Sequence, residues 1–215
     1  MDLGLKGKVV VVTGGGGSIG EAIERTFAEE CSKIVVAEID EAAGRHAVDA
    51  LKSLGVDALF VKADITRVEG AIEMAKAAAD KFGTVDVLVN NAAVAPEAGK
   101  LFMEQSVESR IKEANVIFHG YINCIRAALD YMMKQNKGSI VSILTDAARV
   151  GETRMVTYGA AKAGVAGFSR GIAKEVARYN IRVNCVSPSM TVTVRMQEIF
   201  EAEKAKLGDE KQAQL

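Results

Sequence analysis

The order of apolar runs predicts an α/β fold, one doubly wound parallel sheet in a single domain. Three observations carry this expectation. Short β-branched runs alternate with longer stretches of helical period all the way from Lys8 to Ser187. The first run passes directly into a glycine cluster, Gly14 to Gly20, and then into a helical pattern. Finally, Asp64, Asn90, Thr145 and Ser187 all fall where an apolar run stops. In a parallel sheet with right-handed crossovers those stops share one edge, and ligands bind beyond it.

Lys8–Thr13 reads as a strand covered on both faces, because Val9 to Val12 leave no polar alternation. After the glycines a helix is expected to about Cys31, with Ile23 and Phe27 on its inner side. Lys33–Glu38 repeats the buried-strand pattern, followed by a helix over about Glu41–Leu54. Ala58–Lys62 and a helix from about Arg67 to Phe82 come next, then Val85–Asn90. Pro96 to Gly99 breaks the pattern, and helical period resumes from about Leu101 to Lys134. Asn115 lies inside it, where Asn is a poor helix former and can face solvent or open a backbone carbonyl to water. Gly138–Leu144 is a strand, Asp146–Thr153 a loop, and a small-residue helix runs on to about Tyr179. Ile181–Ser187 is the sixth strand. Residues 190–215 read as a mobile, helix-rich lid segment and a polar tail.

Composition excludes several classes. The 215 residues are 49% apolar and 26% charged with only two prolines, an ordinary globular balance in one domain. A formal net charge of −1 gives no reason to expect nucleic acid or an anionic membrane as partner. No apolar run has the length of a membrane span, and the N-terminus lacks a signal-peptide profile. Cys31, Cys124 and Cys185 form no CxxC pair and read as reduced, mostly core-filling thiols of a cytoplasmic protein. His46 and His119 have no ligand-like neighbours, so no metal is expected.

A strand, a glycine loop and a helix start together make a phosphate site, since backbone N–H groups and the positive dipole end meet there. The register stays open. Gly15, Gly17 and Gly20 satisfy GxGxxG, while Gly14 and Gly20 fit TGxxxGxG with Ser18 as the middle member. Eighteen residues after Gly20 the second strand ends in Glu38, a carboxylate able to accept hydrogen bonds from the adenosine ribose of NAD. Asp40 is the second choice. An NADP 2′-phosphate would meet these acids unfavourably. Further on, Tyr158 and Lys162 stand four apart, on one face of a helix. A neighbouring ammonium favours the phenolate and lowers the phenol's pKa, which general acid–base chemistry needs. Thr145 precedes Tyr158 by thirteen positions and presents a hydroxyl at a strand end.

Taken in order, Thr13-Gly-Gly-Gly-Gly-Ser-Ile-Gly20, Glu38, Asp64, Asn90-Asn-Ala-Ala93, Asn115, Tyr158-x-x-x-Lys162, Asn184 and Pro188 with Thr193 resemble the short-chain dehydrogenase/reductase family over nearly the whole chain. The resemblance implies a Rossmann-like sheet and reversible hydride transfer between NAD(H) and a secondary alcohol or ketone. It implies that Tyr158 exchanges the substrate proton, that Lys162 lowers its pKa and holds the nicotinamide ribose, and that Thr145 bonds the carbonyl. Asn115 would hold a water linking Lys162 to solvent. The cofactor would lie against Gly14, Gly17, Ser18, Ile19, Gly20, Glu38, Asp64, Ile65, Asn90, Tyr158, Lys162, Pro188, Thr191 and Thr193. Ser18, Ala93, Thr145 and Ser189 depart from the family's usual residues, and a seventh strand is absent or missing. The substrate pocket, framed by Val94, Leu101, Val150, Met155, Met190, Val192 and Met196, suits an apolar or alicyclic alcohol or a 3-hydroxyacyl thioester. Arg149, Arg154 and Arg195 are either anion contacts or solvated charges. The family also implies a homodimer or homotetramer built on the Phe118–Met132 region and the helix after Tyr158. Two other classes remain open, a non-catalytic nucleotide-binding subunit and a sugar-nucleotide epimerase. The catalytic set argues against the first, and the short chain against the second.

Overall fold

Four consecutive valines set the centre of the molecule. In the computed structural model, which describes residues 2–188, 191–193, 197 and 201, Val9–Thr13 forms β1, buried along its whole length. It is followed by α1 (Ser18–Glu29), β2 (Lys33–Glu38), α2 (Glu41–Ser53), β3 (Ala58–Lys62), α3 (Val68–Phe82) and β4 (Val87–Asn90). Then come α4 (Val107–Ala114), α5 (Gly120–Lys134), β5 (Gly138–Ile143), the short α6 (Ala147–Val150), α7 (Val156–Val176) and β6 (Ile181–Val186). The six described strands form one sheet in the order β3-β2-β1-β4-β5-β6, and every pairing is parallel. The chain reverses direction across the sheet between β1 and β4, where a crevice opens at the carboxyl ends.

Strand periodicity divides the core in two. Val9 and Val11 pack with Val35, Leu88, Ile117, Ile125 and Val165 under α3, α5 and α7. Val10 and Val12 pack with Ile34, Val36, Val48 and Leu51 under α1 and α2. Alternate β1 side chains thus feed opposite layers. Asp86 pins the start of β1 to β4. Its carboxylate accepts from Val9 N at 2.9 Å and pairs with Lys8 Nζ at 3.5 Å.

Several details differ from the sequence reading, among them α6 inside the stretch read as a loop and a β4 that begins at Val87 instead of Val85. The buried stripe of α1 is Gly20, Glu24 and Ala28, with Ile23 and Phe27 flanking it. The long helix expected after Leu101 is broken. A 3-10 turn at Phe102–Glu104 comes first, and Ser106 caps α4 by accepting from Ser109 N at 3.1 Å. A π-turn at Asn115–His119 then separates α4 from α5, closed by Gly120 N–H donating to Asn115 O. Of the cysteines only Cys124 is buried, while Cys31 and Cys185 are exposed. The expected lid and tail, including Ser189, Met190, Arg195 and Met196, lie outside the described residues apart from 191–193, 197 and 201. Among the described residues no helix is long and apolar enough to cross a membrane.

Candidate active site

The loop after β1 is tied to the end of β4 by hydrogen bonds through Thr13 and Asn91. Thr13, fully buried, donates its hydroxyl to Val89 O and accepts from Asn91 N and Ala92 N at 3.1 and 3.2 Å. Asn91 Nδ2 in turn donates to Thr13 O and Gly14 O, both at 3.1 Å. Gly14 has φ +66°, and a Cβ there would stand 2.7 Å from Ala92 Cα. A Cβ on Gly20 would meet Gly14 O at 2.3 Å, whereas Gly17 has ordinary room. Gly15 and Gly16 are tight as well, and of these glycines Gly17 alone has room; that room, together with the approach of Gly14 to the Ala92 backbone, favours the register with Ser18 in the middle. Gly17 N-caps α1 without a side-chain hydrogen bond.

A cleft of about 1050 Å³ follows, at the upper end of the sizes of small-molecule and cofactor sites. Gly14, Gly17, Ser18, Ile19, Gly20, Glu38, Asp64, Ile65, Asn115 and Thr193 all line it. Glu38 closes one end. Its carboxylate accepts from Gly16 N at 3.2 Å, Ile39 N at 2.7 Å and Asp40 N at 3.1 Å. A carboxylate offers about four lone-pair directions, so acceptor capacity remains on the cleft side. Asp40 is instead spent as the N-cap of α2, accepting from Ala42 N and Ala43 N. Asp64 holds Thr66 N and its hydroxyl through Oδ1.

Asn90 is displaced from its expected place. It is fully buried at the end of β4, its Nδ2 3.5 Å from Ser142 Oγ and its Oδ1 without a partner. Asn91, Ala92 and Ala93 form the cleft wall there. Successive strand residues face opposite sides, so one step at the strand end exchanges cleft for core. Thr191 lines a second, shallower hollow against α1, of about 550 Å³. Pro188 stands two residues beyond the end of β6.

Thr145, Tyr158 and Lys162 stand beyond this cleft on the β5 side. Thr145 follows β5 by two residues, its hydroxyl 3.4 Å from Ala147 N. Gly159 lets α7 approach this turn, since a Cβ there would lie 3.1 Å from Ala147 O. Lys162 is 1% exposed, and its Nζ donates to Ile143 O at 2.5 Å and to Tyr121 Oη at 2.9 Å. The ammonium lies 5.6 Å from the Tyr158 ring centroid and 4.9 Å from that of Tyr121. Burial pulls Lys162 down to about 7. Tyr158 is pushed upward, first by burial and then by the Glu113 carboxylate, against the lowering expected from its spacing to Lys162. Glu113 is itself buried, its Oε2 unpartnered, and its carboxyl is raised by burial and then by Glu97.

The sequence reading missed Tyr121 and assigned Lys162 a water held at Asn115. Asn115 lies in the π-turn on the cleft wall, and its carbonyl accepts from Gly120 N–H. No periodicity could have pointed to Tyr121, because the π-turn resets the helical phase just before it. Arg154 Nη1 donates to Gly99 O at 2.5 Å, and Arg149 pairs with Asp146 at 3.6 Å, so both loop arginines have partners within the protein.

Solved structures of similar shape include dehydrogenases. A solved NAD+-bound xylitol dehydrogenase superposes with a TM-score of 0.87 at 30% identity, over 95% of this chain and 78% of that one. An uncharacterized oxidoreductase of Thermotoga maritima is 38% identical over 189 residues, 88% of this chain and 73% of that protein. An L-fucose dehydrogenase of Rattus norvegicus is 35% identical over 91% of this chain and 70% of its own length. A 3-oxoacyl-(acyl-carrier-protein) reductase of Chlamydia pneumoniae is 32% identical over 90% and 77%. The short chain dehydrogenase family model matches residues 8–204, and this chain is an oxidoreductase belonging to that family.

Proposed function

We propose that the chain transfers a hydride reversibly between NAD(H) and a secondary alcohol or ketone, with an apolar or 3-hydroxyacyl substrate. The observation that carries this reading is the buried Lys162 ammonium beside the Tyr158 ring, on the β5 side of a glycine-walled cleft that neither residue lines. The cleft's backbone fits a dinucleotide, since Gly14 and Gly20 lie where any Cβ would collide. The N-terminus of α1 favours the pyrophosphate, and the Glu38 carboxylate can accept from ribose hydroxyls. When bound, the nicotinamide supplies or accepts the hydride. Tyr158 then gives or takes the proton at the substrate oxygen, Thr145 donates a hydrogen bond to that oxygen, and Lys162 stabilises phenolate character on Tyr158. Exposed Leu101, Phe102, Met103 and Val150 on the neighbouring loops support an apolar substrate. Turnover of NADH with a panel of apolar ketones and 3-oxoacyl thioesters tests the reading, and no turnover with any of them would reject it.

NAD should be preferred over NADP more than tenfold in kcat/KM. A 2′-phosphate near Glu38 is repelled by about 4 kcal/mol at 4 Å and an effective dielectric near 20, and half of that after screening suffices. The neighbouring bases offer no relief: Lys62 pairs with Glu41 and Arg67 with Glu69. Glu38→Ser should move the ratio towards NADP, and an unmoved ratio would remove the role given to Glu38. A homodimer or homotetramer is also expected through α5 and α7, as a mass at least twice the chain's 22.8 kDa by light scattering at micromolar concentration.

A further inference from the structure

A buried phenol needs a partner for its hydroxyl. Tyr121 is 0% exposed in the layer formed by Ile117, Cys124, Ile125 and Val165, and the partner of its oxygen is Lys162 Nζ at 2.9 Å. An ammonium has three donors. One goes to Tyr121 and one to Ile143 O at the end of β5, which leaves a single N–H for any further partner. The same ammonium lies between two phenol rings, 4.9 Å from the centroid of Tyr121 and 5.6 Å from that of Tyr158. The backbone explains why Tyr121 reaches it. Each helical residue turns the chain by about 100°, and the wider π-turn at Asn115–His119 changes the phase at which α5 begins. Tyr121, in the first turn of α5, is thereby directed at α7.

We propose that Tyr121 is a positioning residue of the active site, whose hydroxyl accepts from the Lys162 ammonium and holds it, charged, between the Tyr158 ring and the end of β5. The catalytic use of this contact rests on the function proposed above; the contact itself does not. An acceptor bonded to a charged donor is stronger than one bonded to a neutral donor, so the hydroxyl favours the ammonium over the amine. It therefore opposes the burial that pulls Lys162 down to about 7. The titratable groups around it are few. Tyr158 is on the same helix and Tyr121 on α5, with Cys124 beside Tyr121 and Glu113 of α4 bearing on Tyr158.

The test is a pH titration of the full chain carrying 13Cε-labelled lysine, with Lys162→Met to identify the signal. In Tyr121→Phe, which keeps the ring and removes the hydroxyl, the Lys162 midpoint should fall by about one pH unit. Tyr121→Leu should show at least the same fall. An unchanged midpoint in Tyr121→Phe, or a fall confined to Tyr121→Leu, would overturn the proposal and leave the ring as mere filling. Where the wild type turns over alcohol, Tyr121→Phe should also lower kcat about tenfold with little change in KM. Its pH profile for oxidation should move to higher pH, because a neutral Lys162 no longer favours the Tyr158 phenolate. Absence of turnover in the wild type would reject the proposed function and leave the titration to decide the Lys162–Tyr121 contact.

Discussion

Tyr158→Phe should lower kcat/KM by roughly 10²–10⁴ while leaving the fold and cofactor binding nearly intact, as expected for the loss of general acid–base catalysis. The substitution removes one oxygen from a ring that stays packed against the α3–α5–α7 layer, so stability is largely preserved. The direction of the Tyr158 shift adds a pH signature. Burial and Glu113 both push the phenol up in the chain without cofactor, so it carries its proton throughout the neutral range. Ketone reduction, which needs that proton, should therefore hold its rate from acid to neutral pH. Alcohol oxidation, which needs the phenolate, should rise steadily towards alkaline pH. The profile of kcat/KM reports groups of the free enzyme and is the measurement to make. Full turnover in Tyr158→Phe, or an oxidation rate that falls towards alkaline pH, would refute the assignment.

Glu24→Gln should stabilise the protein by about 3 kcal/mol at pH 7, and by nothing below about pH 4. Glu24 is 1% exposed on the inner face of α1, and neither carboxyl oxygen has a hydrogen-bond partner. Burial, then Glu21 and Glu38, raise its carboxyl from 4.5 to about 9. The folded chain thus binds a proton that the unfolded chain releases between these values. Stability associated with Glu24 is complete below about pH 4.5 and is lost as pH rises towards 9, at about 1.4 kcal/mol per unit. Lys162 has the opposite sign. Lowered from 10.5 to about 7, it makes the unfolded chain bind more protons in that window, so its contribution rises with pH above 7. The wild-type curve should consequently level off between pH 7 and 9, and the difference between wild type and Glu24→Gln isolates the carboxyl. Urea midpoints from pH 4 to 9 measure it. Parallel curves for the two proteins would show that Glu24 is not protonated in the folded state.

The βα alternation was readable because the strands are short apolar runs, several of them β-branched, that stop at polar residues such as Glu38 and Asn90. Glu38 at the end of β2, and Tyr158 and Lys162 one turn apart on α7, are places that spacing alone determines. What spacing could not determine was the exact phase at which an element stops. Asn91 rather than Asn90 meets the cleft because β4 ends one residue before it. Tyr121 meets Lys162 because an i to i+5 turn precedes it, and no propensity marks such a turn. Asp40 looked like a ribose ligand and is a helix cap, since one acid at a strand-to-helix junction serves either purpose. Glu24 was passed over as one more helical acid, because nothing in the pattern around Glu21 and Arg25 says that the stripe Gly20, Glu24, Ala28 faces the sheet.

That stripe also couples this loop to the helix beneath it. A Cβ on Gly15 would lie 2.0 Å from Glu24 Oε1 and 2.8 Å from Val36 Cγ1. The glycine loop and the carboxyl under it therefore occupy one shared volume, and a mutation at either position is judged by the residue at the other. An alanine at position 15 is eased by a shorter or displaced side chain at 24, and it still has to displace Val36 Cγ1. Epistasis of this kind, set by Glu24 of α1 and Val36 of β2 together, couples Gly15 to two elements at once.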